Sequence, residues 1–314
     1  SLVGSEMCIR DRYMGDRAFY RHYLLLAVPM ILQNAITNLV SFLDNIMVGQ
    51  LGTEQMSGVA IVNQLIFVYN LAIFGAVSAA SIFGAQYFGN GDHRGHMHSF
   101  RFKLYATLLV SGLTMLLLLT KGSDLISLYL TDTAGNGATD VALQYGKQYL
   151  VIMLVGLVPF AVNQAYATNI KETGQTLVPM LASFVAVGTN AVLDYLMIFG
   201  VGPFPELGVT GAALATVIAR YVEAVIVVLW AHRNREKNRY LEGAYRGFGI
   251  PMSELKTILI KGLPLMFNEV LWAAGMTTVT QCYSVRGLDV VAGLNIATTI
   301  TNFCLLYTSD AADE

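Results

Sequence analysis

The chain has 314 residues, of which 55% are hydrophobic and only 13% charged, against about a quarter charged in ordinary soluble domains. That balance places it in a membrane. A formal net charge of −2, with Lys and Arg scattered over several short loops, gives no basic face for nucleic acid, and three cysteines, Cys8, Cys282 and Cys304, make neither a disulfide framework nor a zinc pattern.

In chain order, residues 1–12 (SLVGSEMCIRDR) resemble translated sequencing-adaptor sequence and are given no structure, with Met14 as the native start and no cleavable signal. Apolar windows then predict spans at about 24–48, 57–84, 102–120, 147–170, 177–200, 208–231, 257–284 and 289–306. The lead and the even-numbered loops carry most of the basic residues, among them Arg94, Arg101, Lys103, Lys171 and Arg233. By the positive-inside rule they face the cytoplasm, as does the N-terminus. The chain divides into a first six-helix lobe (13–231), a basic cytoplasmic linker (232–256), the first two helices of a second lobe (257–303) and a second adaptor-like end (304–314).

The division rests on an internal repeat. LAVPMILQNAITN written above KGLPLMFNEVLWA aligns Pro29 with Pro264, and the same offset, without a gap, aligns Gly52 with Gly287, Gly58 with Gly293 and Ile61 with Ile296. Two fused halves of a transporter have this form. An even number of spans separates the repeat starts, so the halves lie parallel, and about four further spans are expected after Phe303.

The first span carries a polar stripe, Asn34, Asn38, Ser41, Asp44 and Asn45, that belongs against a wet cavity instead of lipid. Asn190 and Asp194 are four apart and share a helix face, and the next span offers Thr216. Asp44, Asn190, Asp194 and Thr216 supply the hard oxygen ligands that suit a small cation such as Na+, or a proton. The plainer alternative is that these acids lie near helix ends and cap or snorkel. In the seventh span, Glu269 with Trp272 and Tyr283 suits a cationic, partly apolar drug; Asn34, aligned with Glu269 by the repeat, joins them as a drug-binding candidate. The alternative for Glu269 is a protonated acid bonded to a carbonyl freed by Pro264. Arg220 and Glu223 are spaced for an internal ion pair, and Asp92, His93, His96 and His98 read as a solvated basic turn. The glycines of that turn make no phosphate-binding loop.

PMILQNAITNLVSFLDNIMVGQLGTEQMSGVAIVNQ, the NAVLDYLMIFG and GAALATVIARYVEA pair, and GLPLMFNEVLWAAGMT followed by GLDVVAGLNIATTI together resemble the multidrug and toxic compound extrusion (MATE) transporters, from about Met14 to Phe303. The resemblance implies an all-α membrane fold of twelve helices in two six-helix lobes, about eight of them present in this chain. It implies efflux of small organic cations across the cytoplasmic membrane, driven by inward Na+ or H+. Asp44, Asn190, Asp194 and Thr216 correspond to the first-lobe cation site and Glu269 to an acid of the second lobe. No cofactor beyond the coupling ion, no partner other than substrate and membrane lipid, and a monomer are expected. A flippase for lipid-linked saccharides shares the architecture but would line its cavity with several Arg or Lys, and only Arg220 lies well inside a first-lobe span. A membrane-embedded enzyme would need a His base at membrane depth, and His22, His93, His96, His98 and His232 all lie at or outside span ends.

Overall fold

A computed structural model describes residues 43–130, 138–245 and 249–284, with scattered positions on either side. Within these residues the chain is helical, with no strand. A helical stretch over 43–49 leads into α1 (Thr53–Gly89), α2 (His93–Ser127), α3 (Ala138–Val155), α4 (Leu157–Glu172), α5 (Leu177–Ile198), α6 (Val209–Arg233), a 3₁₀ turn (Arg239–Leu241) and α7 (Met252–Ser284). Four of these, α1, α2, α5 and α6, are each long and apolar enough to cross a membrane, and α3 with α4 makes a fifth, broken span. The molecule is a multi-pass membrane protein. Most of the predicted first and eighth spans, and both adaptor-like ends, lie outside the described residues.

Membrane burial inverts the pattern of a soluble bundle. Leu109, Leu113 and Leu116 of α2 are 64, 59 and 61% exposed, the lipid-facing surface of a helix whose backbone is satisfied internally. The interior is built from smaller and polar groups. α1 is the central post, packed along α2, α3, α4 and α7. Its Tyr69 is 2% exposed, donates to the Leu157 carbonyl and shares a hydrogen bond with Ser111 Oγ, each at 2.8 Å. One phenol thus ties α1 to α2 and to the start of α4.

The predicted fourth span, 147–170, is two helices bent by 44°. Pro159 has no N–H to donate and its ring would clash with the carbonyl four residues back, so the helix cannot run on unbroken. Gly156 fills the break because a side chain there would press on Val217 and Arg220 of α6, at 3.1 and 3.3 Å from its Cβ. α1 and α3 approach just as closely: a Cβ on Gly58 would lie 2.5 Å from the Ala142 carbonyl oxygen and 3.0 Å from the Gly146 nitrogen, the small-residue contact by which membrane helices bring backbones together. Gly58→Val should therefore force α1 from α3 and lower the thermal midpoint in detergent, by a stability loss of about 1–3 kcal/mol. Gly89→Val, with nothing within 4 Å of its Cβ, is the control.

α1 and α2 overrun their predicted spans. α1 has 37 residues, about 55 Å at 1.5 Å per residue, against a hydrocarbon thickness of about 30 Å. At the end where α1 stops, α2 begins at His93, capped by Asp92 Oδ1, which accepts from the Arg94 and Gly95 amides. The turn read as solvated is thus mostly the first coil of α2, and much of it is interior: His96, Arg101 and Lys103 are 2, 7 and 0% exposed. Lys103 donates to Glu172 and, at 2.7 Å, to Asn169 of α4, while His96 Nε2 lies 3.2 Å from the other Glu172 oxygen. Arg101 donates to three carbonyls of the segment after α6: Gly243, Ala244 and Gly249, at 2.6, 2.8 and 2.9 Å. That segment also packs Tyr240 between His96 and Phe100. Burial, then Tyr245 and Glu172 beside it, push the Tyr240 phenol well above its ordinary value, so it stays neutral. His98 Nδ1, 2.7 Å from Glu254, joins α2 to the first turn of α7.

Candidate functional site

The first-lobe candidates gather at the opposite end of the bundle from this basic cluster, where residues 43–49, the start of α1, the end of α5 and the start of α6 meet. Val48 is 1% exposed and shares a core with Val59, Ile198 and Val209, which fixes the short stretch bearing Asp44. α5 and α6 meet in a close hairpin. Gly200 and Gly208 take φ of +65° and +54°, values an L side chain rarely adopts. A Cβ on Gly211 would lie 2.6 Å from the Met197 carbonyl oxygen. The first turns of α6 are thereby pressed against the last turns of α5.

Within this hairpin, Asn190 Nδ2 points to Thr216 Oγ1 at 3.5 Å. Asp194, one turn beyond Asn190, is 0% exposed. Neither of its carboxylate oxygens has a hydrogen-bond partner among the described residues, and neither does Asp44 Oδ1. Asn190 approaches Asp194 but at a geometry short of a hydrogen bond. Asp44 and Asp194 are close enough for their charges to act on each other. The fold therefore brings Asp44, Asn190, Asp194 and Thr216 together.

One neighbour was not anticipated from the sequence. Tyr149 of α3 is 1% exposed, lies within the fields of Asp44, Asp194 and Arg220, and donates to Asn63 Oδ1 of α1 at 3.3 Å. Nothing in the pattern marks it: it is one of 16 tyrosines, at no informative spacing from either acid. Buried acids without hydrogen-bond partners are unfavourable as bare anions. Among the described residues no three His, Cys, Asp or Glu side chains converge on a metal site; two carboxylates with an amide and a hydroxyl are instead a hard-oxygen set.

The expected Arg220–Glu223 ion pair does not form. Arg220 sits 5.1 Å over the Phe160 ring and reaches the Gly156 carbonyl at 3.4 Å, because the break between α3 and α4 opens a carbonyl and an aromatic face toward it. Glu223 Oε1 instead accepts from Ser183 Oγ of α5 at 2.5 Å.

Of the drug-site candidates, the structure describes the side chains of Trp272 and Tyr283. Asn34 lies outside the described residues, as does the Glu269 side chain, whose backbone is helical in α7 between Pro264 and Trp272. Trp272 is 52% exposed and rests 5.8 Å from the Phe67 ring of α1; Tyr283 is also exposed. A separate apolar cavity of about 540 Å³ lies among α1, α2 and α7, lined by Leu65, Tyr69, Thr114, Leu118 and Gln281, without Trp272 or Tyr283.

A family model described as MatE matches residues 29–196. The chain is 26% identical over 288 residues to the probable multidrug resistance protein NorM of Thermotoga maritima, covering 91% of this chain and 59% of that protein. It is 30% identical over 224 residues to the probable multidrug resistance protein NorM of Rhizobium meliloti, covering 70% and 46%. Its fold matches the inward-facing conformation of a multidrug resistance MATE family transporter of the MOP superfamily with a TM-score of 0.69 at 23% identity, covering 92% of this chain and 64% of that one. The chain thus spans less than two thirds of the length of these relatives. The matched family is one of transporters, which sets the enzyme reading aside. With the family model covering more than half of its residues, and the helical order and hairpin contacts following from its own sequence, the chain belongs to the MatE family.

Proposed function

We propose that the protein, at the length of its relatives, is a cation-coupled antiporter that exports small organic cations across the cytoplasmic membrane, driven by Na+ or H+ entering at Asp44, Asn190, Asp194 and Thr216. The observation that carries this reading is the pair of unpartnered, fully buried Asp194 oxygens within the field of Asp44. An acid that no described residue neutralises is one for the site's own ligand to neutralise. Glu269, with the rings of Trp272 and Tyr283 and with Asn34, binds the organic cation. The basic end, with Arg94, Lys171 and Arg233, faces the cytoplasm by the positive-inside rule, together with the N-terminus. The protein acts as a monomer within membrane lipid. Names of multidrug resistance proteins among its relatives favour this over a saccharide-lipid flippase.

The test is accumulation of a fluorescent cationic dye in proteoliposomes holding the protein at its relatives' full length, with a Na+ or a H+ gradient imposed separately. One gradient should raise accumulation about tenfold over the ungraded control, the scale of a typical coupling free energy. Equal dye movement with neither, either or both gradients would refute coupling.

A further inference from the structure

Glu223 is a membrane-embedded acid that the proposed coupling site does not use. It stands on α6 two turns beyond Thr216, and its partner Ser183 stands on α5 two turns before Asn190. Position 190 meets 216 and position 183 meets 223, so the antiparallel hairpin sets two polar rungs on one line. Ser183 Oγ also accepts from Gln33 Nε2 at 2.6 Å. The inner rung therefore holds a carboxylate, a hydroxyl and an amide: Glu223, Ser183 and Gln33. The outer rung holds the same three groups in Asp194, Thr216 and Asn190, with the carboxylate moved from one helix of the hairpin to the other.

Between the rungs stands Arg220, facing the α3–α4 break and not either acid. Its field extends to Tyr149 and Glu223, and Tyr149 in turn lies within the fields of Asp44 and Asp194. Lys171 of α4 also lies close enough to Glu223 to feel its charge. Neither cation comes within ion-pair distance of Glu223 among the described ion pairs. Its charge is thus influenced by Arg220 and Lys171 but consumed by neither; its direct partner is the Ser183 hydroxyl of α5, which in turn accepts from the Gln33 amide. A bound cation moving straight from the outer acids to the basic end would have to pass a fixed guanidinium, which opposes it.

We propose that Glu223, Ser183 and Gln33 form a second cation-exchanging site of the first lobe, taking a proton or small alkali cation, so that the coupling ion crosses the lobe in two steps on either side of Arg220. The inference rests on the antiporter reading above. Its chemistry is that of an acid exchanging a small hard cation among oxygen ligands; no bond other than that to the ion is made or broken.

The test uses the protein at full length in proteoliposomes, with ethidium as the probe and Na+ and H+ gradients imposed in separate arms. In whichever arm drives the unmodified protein, Glu223→Gln should lower ethidium accumulation about tenfold or more, while ethidium affinity in detergent stays within about threefold. Glu223→Asp, which keeps the acid, should retain most accumulation. The arm that responds identifies the ion. Undiminished accumulation by Glu223→Gln overturns the proposal. So does an equal loss in Glu223→Gln and Glu223→Asp accompanied by lost ethidium binding and a lowered thermal midpoint, the signature of a purely structural contact. Asp194→Asn run alongside separates the two readings: full accumulation in that variant removes the outer acids from coupling and overturns the two-step passage, while loss in Asp194→Asn with undiminished accumulation in Glu223→Gln overturns the inner site alone.

Discussion

Asp194→Asn should abolish cation-driven export while leaving the fold intact. The substitution keeps the shape of the side chain but removes the negative charge, and since neither Asp194 oxygen has a partner among the described residues, no bond to any of them is lost with it. An uncharged amide also relieves the fully buried site of one of two neighbouring acids, so the thermal midpoint in detergent should hold or rise. What disappears is the reason for a cation to enter. Gradient-driven dye accumulation should fall about tenfold or more, the equivalent of about 1.4 kcal/mol of lost coupling. The check is a paired measurement of accumulation and thermal midpoint. Coupled export at the level of the unmodified protein would exclude Asp194 from ion exchange, and a collapsed midpoint would mark it as structural.

Lys103→Met should have the larger effect on stability, although it lies at the other end of the bundle from the proposed ion site. Lys103 is fully buried and holds Glu172 and Asn169 at once. Removing its ammonium leaves the 6% exposed Glu172 carboxylate with His96 as its remaining close ionisable neighbour. Breaking a buried pair on one side costs about 3–5 kcal/mol, because the surviving charge stays desolvated. For a chain of this size that corresponds to a midpoint lower by roughly 5–8 °C. Adding Glu172→Leu should restore much of the loss, since replacing both charges by apolar groups removes the stranded ion. A midpoint for Lys103→Met within about 2 °C of the unmodified protein would show that water reaches the cluster and solvates Glu172.

The two ends of the bundle differ in what local sequence conveys. Predicted spans at 177–200 and 208–231 agree closely with α5 at Leu177–Ile198 and α6 at Val209–Arg233, because a long apolar run with glycine-rich ends has one favourable outcome in lipid. The shared face of Asn190 and Asp194 was legible for the same reason: a spacing of four residues fixes a face once the helix exists. Asp44 was conspicuous as an acid within an apolar run, and Thr216 followed as the hydroxyl of the adjoining span.

The rest was decided by partners distant in the chain. His96, Arg101 and Lys103 look like an aqueous turn when judged by their own transfer cost, but their burial is offset by Glu172 and by the carbonyls of Gly243, Ala244 and Gly249, which no local window contains. Arg220 and Glu223 have the spacing of a pair, yet the break before Pro159 offers the guanidinium a ring and a carbonyl while Ser183 takes the carboxylate. Tyr149 enters the acid pocket only because Gly58 and Gly146 let α3 close on α1. By itself, then, the sequence determined the membrane class, the hairpin and the facing of its polar groups, since hydropathy and helical period are properties of neighbours along the chain. Tertiary structure alone decided which charges are interior and whom they meet, since a buried charge is stable only through a partner whose position the whole fold supplies.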